Sequence, residues 1–197
     1  MEWSEGDPQM ARQAQVVIVD SSVVVKWFSE EERTDKALGL RDLHVSGRIA
    51  IWVSPSSYFE IANALRFKPD YDEEKLSKAM GHLLNLHLES AHVDRKLLSR
   101  TGEIAYDGGV TIYDAAPVAL AEEKKAFCVT DDKVTQYAKL EPRGYPIRLL
   151  HNIESPASSN MKQLPWTTPV SANIQDKCRS AGLNQEVRHA SARAFRC

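Results

Sequence analysis

Val16-Val17-Ile18-Val19 runs directly into Asp20-Ser21-Ser22. Four β-branched residues in succession suit a short strand buried on both faces, the kind found inside a parallel sheet. Asp20 ends that strand. In open α/β sheets, ligands bind outside the carboxyl ends of the central strands, so a carboxylate here stands where such sheets build their sites.

Working outward, strand and helix signals alternate. Ser22 to Phe28 reads as a short helix, Glu30 to Val45 as a longer one, and Ile49 to Val53 as a second buried strand. Ser54-Pro55 is a helix-start signal, with Ser as N-cap and Pro at the first helical position. That helix is expected to run to about Phe67, with Phe59, Ala62 and Phe67 beside Ile61 and Leu65 on a broad buried face. It places Glu60 in its second turn, and Asn63 three residues on, on the same side. Asp72 to Leu88 reads as a helix with an apolar stripe of Leu76, Ala79 or Met80, Leu83, Leu84 and His87. A short extended piece is expected near Ala91 to Val93, then a helix from Asp94 to Tyr106 closed by Gly108-Gly109. Tyr113 to Lys125 is Ala-rich and helical. Pro117 lies inside it, which is tolerated in a first turn, so the helix is expected to begin near Asp114. Ala126 to Thr130 is a third strand closed by Asp131-Asp132, and Ile147 to Leu150 a last one after a short helix to Leu140. The pattern predicts an α/β fold of three layers, α/β/α, around a central mostly parallel sheet.

Four acids fall at one edge of such a sheet. Asp20 and Asp132 follow strand ends, and Glu60 and Asp114 lie near helix starts, which face the same way. Carboxylates within about 4–6 Å of one another cannot all stay charged without compensation, because like charges raise each other's pKa. A hard divalent cation resolves the conflict, and Mg²⁺ or Mn²⁺ takes oxygen ligands. Asp20, Glu60, Asp114 and Asp132 are therefore the candidate metal ligands and catalytic residues, in a site suited to phosphodiester hydrolysis. Each also has a plainer reading. Asp20 suits the start of a turn, Asp114 a helix cap partnered by Thr111, Glu60 a solvated helix position, and one of Asp131 and Asp132 a cap for the next helix.

Composition bounds the alternatives. With 197 residues and 43% hydrophobic content, one packed α/β domain plus extensions is the expected organisation. The expected division is a polar N-terminal extension over 1–15, the α/β domain over 16–154 and a weakly hydrophobic tail over 155–197. In the tail, Leu, Ile, Val and Phe supply only six of 43 residues, too few for a core. The formal charge of -2 is uneven: the tail has six Lys/Arg against two Asp/Glu, and the rest nineteen against twenty-five. That body lacks the basic surface by which nucleic-acid binders usually show themselves, so a polyanion must be met by local basic side chains or bound cations. No apolar run approaches the roughly 20 residues of a membrane span. Met1 to Gln15 lacks the apolar segment of a signal peptide, and three cysteines (Cys128, Cys178, Cys197) show no pairing pattern. Both favour the cytoplasm. His82 and His87 are five apart, off the spacing of a helical zinc pair.

The segments Val17-Ile18-Val19-Asp20-Ser21-Ser22-Val23-Val24-Val25-Lys26-Trp27-Phe28, Glu60-Ile61-Ala62-Asn63-Ala64-Leu65, Tyr113-Asp114-Ala115-Ala116 and Val129-Thr130-Asp131-Asp132 resemble, in order, those of the PIN-domain ribonucleases. The likeness is greatest to the VapC toxins of type II toxin–antitoxin systems, archaeal ones especially, and covers about residues 16–150. It implies a compact α/β/α fold, Mg²⁺ or Mn²⁺, and endonucleolytic cleavage of single-stranded or structured RNA. By motif, Asp20, Glu60, Asp114 and Asp132 match the family acids, with Asp131 as the variable middle residue of a Thr-x-Asp. Ser22 and Thr130 match supporting hydroxyls, and Asn63 a polar neighbour of the glutamate. The resemblance further implies a homodimer and a small cognate antitoxin, for which helices Arg33–Val45 and Asp72–Leu88 offer apolar surface. One departure is Pro117, where the family usually has an aromatic residue.

Two other readings are distinguishable. Pro117 and the acidic body suit a catalytically silent PIN-like scaffold that binds RNA or a partner. A phosphatase of the dehalogenase type or a phosphoacceptor domain also uses an Asp at a strand end. The first needs an acid where Ser22 stands, and the second an acidic pair near the first strand, which residues 21–26 do not supply.

Overall fold

The computed structural model describes residues 14–153. The expectations for the tail and for most of the N-terminal extension lie outside the described residues. Five strands, β1 (Gln15–Val19), β2 (Ile49–Val53), β3 (Glu89–Ser90), β4 (Cys128–Thr130) and β5 (Ile147–Leu149), form one sheet in the order β3-β2-β1-β4-β5. Every pairing is parallel. The helices are α1 (Ser21–Val24), which continues as a 3-10 turn over Val25–Trp27, α2 (Thr34–Val45), α3 (Ser57–Arg66), α4 (Glu73–Asn85), α5 (Arg95–Gly108), α6 (Ile112–Lys124) and α7 (Ala138–Leu140). This is the α/β architecture read from the sequence.

β1 is central because its side chains are apolar on both faces. Val17 and Val19 point one way, with Val16 and Ile18 on the other. Ile18 joins Cys128 and Ile147 in a buried cluster with Leu97, Ile104, Val118, Leu120 and Leu140, which seats α5 and α6 on that face. Ile49, Ile51 and Val53 alternate on β2 as buried residues, and α2 lies against that strand. Trp27 is buried, and its indole N–H donates to the Ala37 carbonyl at 2.8 Å, tying the turn after β1 to α2. Both outer strands are short, two residues in β3 and three in β5. Beside β3 the His44 ring fills in for a missing strand. Its Nδ1 accepts from the Ile51 amide at 3.3 Å and its Nε2 meets the Leu86 carbonyl at 2.9 Å.

The chain departs from expectation in four places. α3 begins at Ser57, not at Pro55, because the Ser54 hydroxyl bonds to those of Ser56 and Ser57 and the chain makes a turn first. Glu60 therefore lies in the first turn. The buried face of α3 is carried by Ile61 and Leu65, while Phe59 (81%) and Phe67 (71%) are exposed. On α4, Ala79 and Leu83 are buried but Leu84 is exposed, as is His87 beyond the helix end. The third strand in chain order is Glu89–Ser90, just before the expected Ala91 to Val93. Finally, α6 starts at Ile112, so Pro117 sits beyond the first turn, in the helix interior. A capping box at Thr111 fixes that early start: the Thr111 hydroxyl accepts from the Asp114 amide at 3.1 Å and Asp114 Oδ2 accepts from the Thr111 amide at 3.2 Å. The box outweighs the preference of proline for a helix's first turn.

Candidate functional site

The chain leaves β1 for β2 on one side and returns to β4 on the other, so the strand order reverses between β1 and β4. Crevices outside the carboxyl ends of strands at such a reversal are where α/β sheets bind ligands. Val19 pairs with Val129, and the Asp20 amide donates to the Val129 carbonyl at 2.9 Å, which sets Asp20 level with Thr130.

Asp20 is 7% exposed, and all the hydrogen bonds to its carboxylate fall on one oxygen. Oδ2 accepts from the Ser22 amide at 3.0 Å, the Ser22 hydroxyl at 2.6 Å and the Thr130 hydroxyl at 3.4 Å. Each hydroxyl is itself held by an amide of the loop after β4. Ser22 Oγ accepts from Asp131 N at 3.0 Å, and Thr130 Oγ1 from Asp132 N at 3.0 Å. Burial pushes the Asp20 carboxyl up to about 6; the Ser22 hydrogen bonds pull the other way, and the charges of Glu60 and Asp114 add to the rise. Glu60 and Asp114 are thus each near enough for their charge to act on Asp20.

Glu60 is half-buried. The Ser21 hydroxyl donates to its Oε2 at 3.1 Å, and its Oε1 is buried with no hydrogen-bond partner. Asp114 is half-buried at the third position of α6; both bonds to Thr111 fall on Oδ2, so the capping box does not use Oδ1. Asp132 is turned onto its own helix start: Oδ1 accepts from the Val134 and Thr135 amides at 3.0 and 2.8 Å, and Oδ2 from the Thr135 hydroxyl. Burial alone would raise its carboxyl, but the bonds from Thr135 and Val134 outweigh it and hold the group below the usual carboxylate range. Asp132 is therefore the acid that caps the helix, the role the sequence left open between it and Asp131. Asn63, three residues on from Glu60, is exposed.

Several residues at the site escape a reading by motif. Ser21 reaches Glu60, although only its neighbour Ser22 matched a pattern. Asp131, 10% exposed, takes Lys26 Nζ at 3.0 Å and Arg33 Nε at 2.8 Å. Lys26 is 5% exposed and also meets Glu31 at 3.0 Å, while Lys68 approaches Glu31 at 2.6 Å. Gln136 is buried, donates from Nε2 to the Asp114 carbonyl at 2.8 Å and leaves its Oε1 without a partner. It stands in a π-helical turn, Lys133–Tyr137, a distortion frequent at functional sites.

Residues 17–140, well over half of the chain, match the PIN domain. The chain belongs to the PIN-domain family. No curated protein matches it in sequence. Among solved structures, VapC20 of Mycobacterium tuberculosis, a sarcin–ricin-loop-cleaving toxin, is similar at 16% identity over 66% of this chain and 95% of that one, with a TM-score of 0.50. VapBC2 from Rickettsia felis, bound to a DNA fragment from its promoter, matches at 14% identity over 68% of this chain and 98% of that one, TM-score 0.51. A Pyrobaculum aerophilum protein, PAE2754, matches at 20% identity over 72% and 89%, TM-score 0.50. At these identities the likeness is one of fold. The fold is that of the VapC toxins.

For a PIN-domain protein the question is whether these acids suit a metal. Among the described residues, no three His, Cys, Asp or Glu side chains already form a cage for an ion. A hard divalent ion does not require one, since Mg²⁺ is commonly held by one or two carboxylates and keeps several waters. The donors are all carboxylate oxygens, one of them, Glu60 Oε1, is buried and unpartnered, and Asp20 is raised by burial, with two like charges adding to it. Those features fit a divalent cation. Among the described residues no helix is long and apolar enough to cross a membrane.

Proposed function

We propose that this PIN-domain protein is a metal-dependent endoribonuclease that hydrolyses RNA phosphodiester bonds, the toxin of a toxin–antitoxin pair. Residues 16–154 are its nuclease domain. It works in the cytoplasm as a homodimer and is restrained by a cognate antitoxin. Asp20, Glu60 and Asp114 hold Mg²⁺ or Mn²⁺, with Asp132 completing the acidic edge. The observation that carries this reading is the buried, unpartnered Glu60 Oε1 near Asp20, whose carboxyl is pushed up to about 6 by burial, with the charges of Glu60 and Asp114 adding to the rise.

When bound, such an ion supplies positive charge at a phosphoryl oxygen and activates water. The chain's own residues supply position. Ser22 and Thr130 fix Asp20 by one oxygen, Oδ2, and make no use of Oδ1. Ser21 fixes Glu60 through Oε2 and leaves Oε1. Asp132 sets the turn from which Thr130 is held. The test is RNA cleavage by the purified chain with Mg²⁺ or Mn²⁺, set against Asp20→Asn. Equal cleavage by the two would remove Asp20 from the site.

A second reading, the silent scaffold, is favoured by one observation. Asp114 and Asp132 both spend carboxylate oxygens on helix starts, as structural caps do. Mn²⁺ binding without turnover on any RNA would select it.

A further inference from the structure

We propose that Asp131, clamped by Lys26 and Arg33, is a positioning residue for the acidic centre: its carboxylate fixes the loop after β4, and its amide fixes the hydroxyl that orients Asp20. This rests on the metal-dependent reading above, and it gives a task to the residue that the Thr-x-Asp pattern treats as variable.

Asp131 takes three contacts from two cationic side chains. Arg33 grips it with two nitrogens, Nε to Oδ1 at 2.8 Å and Nη2 to Oδ2 at 3.3 Å, and Lys26 adds a third contact to Oδ2 at 3.0 Å. Two-pronged guanidinium–carboxylate pairs fix orientation as well as distance. Arg33 lies 98 residues from its partner and adopts φ 66°, a left-handed backbone that a long side chain rarely takes. No side-chain cap at the start of α2 accounts for that conformation. Strain of this kind persists where surrounding contacts over-determine it; the Arg33 side chain is held by the Asp131 clamp and by a pair with its exposed neighbour Glu32.

The clamp is wired to the site by one short path. The Asp131 amide donates to Ser22 Oγ at 3.0 Å, and Ser22 Oγ donates to Asp20 Oδ2 at 2.6 Å. A serine hydroxyl has a single proton. With the amide on an oxygen lone pair, that proton is directed at Asp20. Lys26, on the 3-10 turn that follows α1, pins the same loop from the other side. The Asp20 carboxylate is thereby held through Oδ2 alone, and Oδ1 is left out of these bonds. Loss of the clamp frees the loop, then Ser22, then Asp20. The acids that face the clamp are Glu31 and Glu32, which share its cations, and the remaining cation is Lys68 on Glu31.

The full chain is compared with Arg33→Gly, Asp131→Asn and, as a control that breaks a remote ion pair, Glu122→Gln. Glycine adopts the backbone of position 33 without strain, so Arg33→Gly removes the guanidinium while favouring the fold. Amide hydrogen exchange at Asp131 is read by NMR without metal, with global stability measured in parallel, and the Mn²⁺ dissociation constant is read by calorimetry. Arg33→Gly and Asp131→Asn are expected to speed exchange at amide 131 at least about tenfold beyond any change in global stability, and to weaken Mn²⁺ binding by about 10-fold or more, the usual range for partners of metal ligands. Glu122→Gln is expected to leave both within about twofold. Wild-type exchange at amide 131 in Arg33→Gly overturns the proposal. Absence of Mn²⁺ binding by the wild-type chain overturns the nuclease reading instead, and the exchange measurement still decides the clamp.

Discussion

Two acids within one short segment have opposite fates. Glu31 is met by Lys26, Lys68 and the Ser29 hydroxyl; burial works against its charge, but those partners hold it down to about 2. Asp20, eleven residues earlier, is pushed up to about 6 by burial, with Glu60 and Asp114 as its charged neighbours. The cations are not scarce here. Lys26 stands on the turn that leaves Asp20, yet it is given to Glu31 and Asp131. The molecule neutralises the acids beside its crevice and leaves those inside it uncompensated. That contrast is what the proposed metal-dependent reading requires of an acidic centre.

The largest expected effect breaks the uncompensated side. Asp20→Asn should lower metal-dependent RNA cleavage by about 10³-fold or more, since a metal ligand is lost. The same change should stabilise the metal-free protein by about 1–3 kcal/mol, because a buried charge with like-charged neighbours disappears. Chemical denaturation reads the second effect; a fall in stability would mean that Asp20 is compensated after all.

Next comes the compensated side. Lys26→Met leaves Asp131 with Arg33 and Glu31 with Lys68, so the loss should stay below that of a fully orphaned buried pair, about 2–3 kcal/mol against 3–5. Denaturation at neutral pH measures it.

Acidity should separate the two sides without mutation. Asp20 has a folded value of about 6 against an ordinary 3.8, so folding takes up a proton between them. Its contribution therefore rises as pH falls from 7 through 6 toward 3.8. Glu31 runs oppositely, from an ordinary 4.5 to about 2: its contribution is present above 4.5 and lost as pH falls through 2. Denaturation of metal-free protein between pH 7.5 and 2.5 should thus show stability first gained and then lost. Mn²⁺ affinity should rise with pH through about 6, as Asp20 of the metal-free protein ionises; calorimetry reads it.

The smallest effect is expected at Gln136, which belongs to neither side. Gln136→Leu removes an unsatisfied buried oxygen but also the donor to the Asp114 carbonyl, so the two changes should nearly cancel, within about 1 kcal/mol. Thermal melting reads it.

Sequence alone exposed the parts of the molecule that local chemistry dictates. The apolar run at 16–19 and the alternation of strands with helices suffice for a parallel sheet with Asp20 at its edge, because hydrophobic burial and helix handedness leave few other arrangements. What sequence missed depended on contacts across the fold. Phe59 and Phe67 fit a buried stripe by spacing, but α3 rests on Ile61 and Leu65 once its start shifts to Ser57. Pro117 suggested a late start for α6, and the Thr111–Asp114 box prevailed. The partners of Asp131 lie 98 and 105 residues away at Arg33 and Lys26, beyond any local pattern. The motif marked positions 20, 60, 114 and 132; it gave no sign that Asp132 would turn its carboxylate onto its own helix.

The sheet's brief margins limit how another protein can take hold of it. With two residues in β3 and the Ile51 amide already occupied by His44, that border has almost no free main-chain donors to lend. An incoming polypeptide that binds by adding a further strand needs a longer template. A partner that meets the protein at this border must instead grip side chains on the helical layers or reach into the crevice mouth, so recognition there is written in pockets and not in backbone ladders.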